Sequence, residues 1–120
     1  QIWATHLATT NSCSGLVHDT SGFGENIHAC GTSNPDSAIP CATASAAVDS
    51  WYSEIQFYNQ GDGFSSATGH FTEVVWKATT SLGCARSDYC TGTGDLAGLS
   101  WMFVVCHYNP PGNSVGFNKQ

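Results

Sequence analysis

The chain has 120 residues, enough for one domain with a real core and too few for two. Three basic residues, Lys77, Arg86 and Lys119, stand against nine carboxylates, a formal net charge of -6. Such a surface repels phosphate backbones and anionic lipid headgroups, so nucleic-acid binding is not expected, and no apolar run approaches the roughly 18 residues of a membrane span.

In chain order, Ile2 to Thr9 places Trp3, Ala4, Leu7 and Ala8 at helical spacing, with no cap in front of it. Residues 11–24 form a Ser- and Gly-rich loop carrying Cys13 and Leu16-Val17-His18, and Glu25 to His28 is a short extended piece. From Cys30 to Cys41 the sequence has two prolines and no periodicity, a loop that a local Cys30–Cys41 disulfide can staple. Thr43 to Tyr58 predicts the clearest helix, with Ala44, Ala47, Val48, Trp51, Ile55 and Tyr58 on one stripe and Glu54 beside it. A Gly-rich loop with Phe64 at its middle covers 59–67.

Thr68 to Ala78 predicts a short helix, with the Thr68 hydroxyl as N-cap and His70 in the first turn. Thr79–Tyr89 and Leu99–Tyr108 predict an antiparallel pair of strands joined through a Gly-rich turn. The second is an almost continuous apolar run, as a central strand buried on both faces requires. This order gives an α+β class, with helices packed on a small antiparallel sheet.

Six cysteines without a CxxC motif predict three disulfides and an oxidising, extracellular setting, although sequence alone permits 15 pairings. Gln1 is compatible with a mature end left by processing, and no Asn-x-Ser/Thr acceptor for N-glycosylation occurs.

Four segments, in order, resemble one family. GENI at 24–27, WYSEIQFY at 51–58, GHFTEVVWKATTSLGCA at 69–85 and FVVCHYNPPGN at 103–113 look like the signatures of the CAP superfamily. That superfamily groups cysteine-rich secretory proteins, antigen-five allergens and plant pathogenesis-related class-one proteins. The loop YNQGDGFSSATGHF is most like that of the secreted fungal members. The resemblance implies a secreted single domain over 1–120, a three-layer α-β-α sandwich, here expected to be N-terminally short and to lack the family's first helix. It also implies an apolar sheet face left open and the pairings Cys13–Cys90 and Cys84–Cys106, which leave Cys30–Cys41.

By the same resemblance, His18, Glu25, Glu54 and His70 form a cleft that can hold a divalent metal, zinc favoured because imidazole suits it. In that reading the carboxylates orient the rings or a bound water. A His/Glu hydrogen-bond network that binds nothing is the competing reading. Phe57, Tyr58 and Phe64 border a loop that the fungal resemblance connects with sterol or small-lipid binding. A position where the family more often has glutamine holds Glu73 here. His6, His28 and His107 are expected to be structural.

Three functions follow as expectations. The first is a lipid- and metal-binding module with a role in defence or host interaction, the second a surface-acting signalling or immune module that meets a host or target protein. The third is a metal-dependent peptidase using Glu54 and Glu25; it ranks last because Ser65, Ser66 and Thr72 show no nucleophile pattern.

Overall fold

A computed structural model describes residues 2–8, 12–34 and 41–113. The fold is organised by its last strand, β4 (Ser100–Asn109), which the apolar run predicted as central. The first strand, β1 (Gly24–Thr32), lies along the whole of one side, from Gly24 opposite Tyr108 to Thr32 opposite Ser100. On the other side lie β2 (Ser81–Arg86) and the two-residue β3 (Cys90–Thr91), and all pairings are antiparallel.

Alternate residues of β4 feed two cores. Phe103 and Val105 pack with Ile27 of β1, with Cys13, and with Leu7 of helix α1 (Ile2–Ala8). Val104, Cys106 and Tyr108 face Ala47 and Trp51 of helix α2 (Ala44–Tyr52), with Val74 of helix α3 (Gly69–Val74) alongside. Helices therefore cover both faces of the sheet, which makes the expected α-β-α sandwich. The three disulfides are Cys13–Cys90, Cys30–Cys41 and Cys84–Cys106. The last joins residues directly opposite each other on β2 and β4.

Several expected boundaries move, each for a physical reason. Strand β1 continues to Thr32, through Cys30 and Gly31 that were expected to open a loop. It is paired throughout, and the bare Gly31 makes room for the Trp101 ring across the ladder. Residues 35–40 of the expected loop, Thr9 of the first helix and the tail 114–120 lie outside the described residues.

The helix expected over Thr43–Tyr58 stops being α-helical at Tyr52 and continues as a 3-10 turn, Ser53–Phe57. The Ser53 hydroxyl donates to the Ser50 carbonyl (2.6 Å), a local bond that competes with the regular helical pattern. Tightening from 3.6 to 3 residues per turn rotates Ile55 off the predicted stripe, and it is exposed. The helix expected to reach Ala78 ends at Val74.

Strand β2 is exposed over most of its length, Leu82 included. On the α1 side it presents the small residues Gly83 and Ala85, which form part of the wall of an open groove of about 640 Å³ with Trp3, His6, Phe23 and His107.

Thr43 is the N-cap of α2, its hydroxyl accepting the Ala46 amide at 3.0 Å. Thr43→Ala is expected to cost about 1 kcal/mol of stability, measured by urea denaturation, and Thr43→Asn to retain most of it.

Candidate functional site

Two histidine–carboxylate pairs lie beside the start of β1, on one cavity. In one, His70, in the first turn of α3, holds its Nδ1 2.9 Å from Glu54 Oε2, and its ring stacks on Trp51 with centroids 6.1 Å apart. In the other, His18 Nδ1 lies 2.7 Å from Glu25 Oε1. His18, Glu25, Asn26, Phe64, Gly69, His70 and Asn113 line one cavity of about 240 Å³. Glu54 stands behind His70 rather than in that lining.

Three of the four residues of the expected cleft, His18, Glu25 and His70, line that cavity, and Glu54 joins them only through its contact with His70. The carboxylate oxygens are already engaged: Glu54 Oε1 accepts the Phe71 amide (3.0 Å) and Glu25 Oε1 accepts the Asp19 amide (3.0 Å). Each carboxylate therefore holds a ring at its Nδ1 edge and fixes its orientation.

The Glu54 bond to Phe71 corrects the expected cap. Thr68 makes no side-chain cap bond to α3; its hydroxyl meets the Ser65 hydroxyl at 2.9 Å instead. A carboxylate from the preceding helical segment accepts a first-turn amide of α3 and also fixes His70. Nothing local in the sequence signals this, because donor and acceptor lie 17 residues apart.

His107, expected to be structural, belongs to the network. Its Nε2 lies 2.7 Å from Glu25 Oε2, so one carboxylate holds an imidazole on each oxygen. The signal was available in the strand register: Glu25 and His107 are direct cross-strand partners once β1 is paired with β4. His28 does stay structural, its Nε2 3.2 Å from the Cys41 carbonyl. Burial pushes its pKa down, partly opposed by that carbonyl and reinforced by nearby His70.

The aromatic residues expected to share a ligand site part company. Phe64 lies over Gly69 at the rim of the His cavity and is 67% exposed. Tyr58 packs on Phe71, with ring centroids 5.2 Å apart, and Phe57 is exposed.

Two further residues support the site from below. Asn26 is buried and donates from Nδ2 to the His70 carbonyl (3.1 Å) and the Tyr108 hydroxyl (3.2 Å). Burial pushes the Tyr108 phenol up to about 12; the Asn26 bond opposes this and the Glu73 charge adds to it. Glu73 is 3% exposed and accepts the Gly112 amide at 2.9 Å. A Cβ on Gly24 or on Gly112 would collide with its carboxylate, so both glycines are needed for this carboxyl to fit.

Residues 1–108 match the profile of the cysteine-rich secretory protein family, CAP. The basic form of pathogenesis-related protein 1 from Nicotiana tabacum is 36% identical over 104 residues, 85% of this chain and 50% of that protein. Protein PRY2 from Saccharomyces cerevisiae is 36% identical over 116 residues, 95% of this chain and 30% of that protein. The chain thus spans half or less of the length of these relatives. Among solved structures, BmVAL-1 aligns with TM-score 0.65 and 26% identity, over 92% of this chain and 55% of that one. NaASP2 with Zn2+ aligns with TM-score 0.58 and 25% identity, over 98% of this chain and 62% of that one.

Burial raises the Glu73 pKa above its ordinary 4.5, and the Gly112 amide only partly offsets this. The folded state therefore binds this proton more tightly than the unfolded state does. The Glu73 contribution to stability is greatest below about 4.5 and falls as pH rises to the elevated folded value. Glu73→Gln keeps an acceptor for Gly112 without the charge. Thermal melts are expected to show this variant more stable than the parent at pH 7, with the advantage shrinking as pH drops toward 4.5.

Proposed function

The chain belongs to the cysteine-rich secretory protein (CAP) family, and from that premise we propose that it is a secreted binding protein acting in defence or host interaction. In this reading the cleft of His18 and His70 holds a divalent cation, zinc favoured, and the aromatic loop at its rim holds a sterol or another small lipid. The observation that carries it is that both imidazoles, each tied through Nδ1 to a glutamate, open on one cavity with Phe64 at its mouth.

Imidazole whose second nitrogen is held by a carboxylate is the pattern of a metal-binding histidine, and it suits zinc better than magnesium. His18 and His70 would be the ligands, with Glu25 and Glu54 fixing their orientation. A bound zinc ion would supply a fixed positive charge and coordination positions for water or a ligand oxygen. Among the solved relatives, NaASP2 is described with Zn2+, which supports the choice of metal.

Size decides where a lipid would rest. The cavity of about 240 Å³ falls below the roughly 300 Å³ at which small-molecule clefts begin, so a sterol does not fit inside it. The ligand is assigned instead to the loop surface, against exposed Phe57 and Phe64. An uncharged apolar ligand also avoids the repulsion that a surface of net charge -6 imposes on anions.

Secretion is supported by the three disulfides and by a relative named as a secreted protein, RBT4 of Candida albicans. Among the described residues no helix is long and apolar enough to cross a membrane. The peptidase reading is weaker: Glu25 and Glu54 are both engaged with rings and amides, which leaves neither poised as a general base.

Binding of a fluorescent sterol tests the lipid half. Removing one buried phenyl contact is worth about 1.5–3 kcal/mol, so Phe64→Ala is expected to weaken binding roughly ten- to hundredfold. Unchanged affinity in Phe64→Ala and Phe57→Ala together would remove the sterol assignment. For the metal half, His70→Ala is expected to abolish one zinc-binding event in calorimetry.

A further inference from the structure

Glu25 separates two cavities. Its Oε1 is taken by His18 on the side of the 240 Å³ cleft, and its Oε2 reaches His107, which lines the 640 Å³ groove on the α1 side of the sheet. Asp19 also lines that groove, with Oδ2 3.9 Å from His107 Nε2. We propose that Asp19, Glu25 and His107 form a second divalent-cation site, distinct from the His18/His70 cleft and opening onto the groove.

The donor geometry is the first support. One ligand atom from each of the three residues lies within 4.8 Å of the others. Bonds of about 2.0–2.1 Å in a tetrahedral site put ligand atoms roughly 3.3 Å apart. The observed 2.7 Å from Glu25 to His107 and 3.9 Å from Asp19 to His107 bracket that edge. A shift of well under an ångström brings each of these two edges to that length.

Preorganisation is the second. Glu25 is 4% exposed, and its Oε1 is fixed by the His18 ring and the Asp19 amide, which leaves Oε2 as the donor on the groove side. The His107 backbone is held in β4 between β1 and β2, and its ring stacks on Phe23 with centroids 5.5 Å apart. The Asp19 amide donates to Glu25 Oε1 and the Asp19 carboxylate lies 3.9 Å from His107, so the loop from Asp19 to Glu25 closes on itself beside the site.

Charge and chemistry select the ion. Two carboxylates neutralise a divalent cation, and one imidazole favours zinc or manganese over calcium. Three protein donors leave at least one coordination position, and the adjoining groove, walled by Trp3, His6 and Phe23, has room for a small oxygen-bearing ligand there.

The test is zinc titrated by calorimetry into chelator-stripped protein at neutral pH, comparing the parent with Asp19→Asn, His107→Gln and His70→Ala. Glu25 is left alone because it serves both sites. The parent is expected to bind two zinc ions. Asp19→Asn and His107→Gln should each weaken one event at least tenfold and spare the one lost in His70→Ala. If the cleft holds no metal, the parent binds a single ion that Asp19→Asn weakens and His70→Ala leaves intact, which still upholds the second site. Parent-like stoichiometry and affinity in both Asp19→Asn and His107→Gln overturns it. Should His107→Gln fail to fold by circular dichroism, Asp19→Asn decides alone, since it keeps side-chain shape and the backbone amide bond to Glu25. Zinc-edge anomalous density between Asp19 and His107 in soaked crystals is the matching structural result.

Discussion

The whole site depends on the anchoring of a helix too short to stand by itself. Helix α3 has six residues, far below the dozen or so at which an isolated helix becomes even marginal in water. Its position is imposed from outside, at both ends. Glu54 accepts the Phe71 amide at its start, and Asn26 holds the His70 carbonyl from β1. Asn113 donates to the Gly69 carbonyl (3.0 Å) and accepts from the Thr72 hydroxyl (2.6 Å), while Glu73 accepts the Gly112 amide. His70 is therefore placed by residues from β1, from the turn after β4 and from the 3-10 segment. The three signature segments and the helix glutamate are the parts of one clamp, which gives a physical reason for their joint presence in one chain.

Legibility in the sequence followed how local each interaction is. The β4 run could be read directly, because β4 needs apolar side chains on both faces. Strand β1 was cut short in the reading because both its faces are covered, so Asn26, His28 and Gly31 interrupt any clean alternation while making specific contacts with α3, the Cys41 carbonyl and Trp101. The stripe through Ile55 failed for a different reason. A period of 3.6 was extended across a segment whose period is 3, and only the Ser53 hydroxyl bond marks the change.

At the site, residue chemistry nominated histidines and glutamates, and a family resemblance selected four of them. What neither supplied was direction. That Glu25 and Glu54 hold rings through Nδ1 is a fact of distance, and that His107 joins Glu25 is a fact of register. His107 is 82 residues from Glu25 along the chain and directly across the ladder from it. Expecting His107 to be structural turns attention away from the ring that ties Glu25 to the groove.

The electrostatics explain why these carboxylates gather imidazoles rather than arginines. With three Lys and Arg residues in the chain, paired charge is scarce, and each ion pair described for Glu25 and Glu54 is to a histidine. A carboxylate that is 4% exposed needs several donors, and Glu25 obtains them from two rings and one backbone amide. Imidazole differs from guanidinium in one decisive respect: it can be neutral, so the charge compensating the carboxylate can come either from a proton on the ring or from a cation bound at its other nitrogen. An arginine in the same place would satisfy the carboxylate permanently and leave nothing to bind. The histidines keep that position exchangeable, so the charge balance at the start of β1 is set by imidazoles rather than by fixed cations.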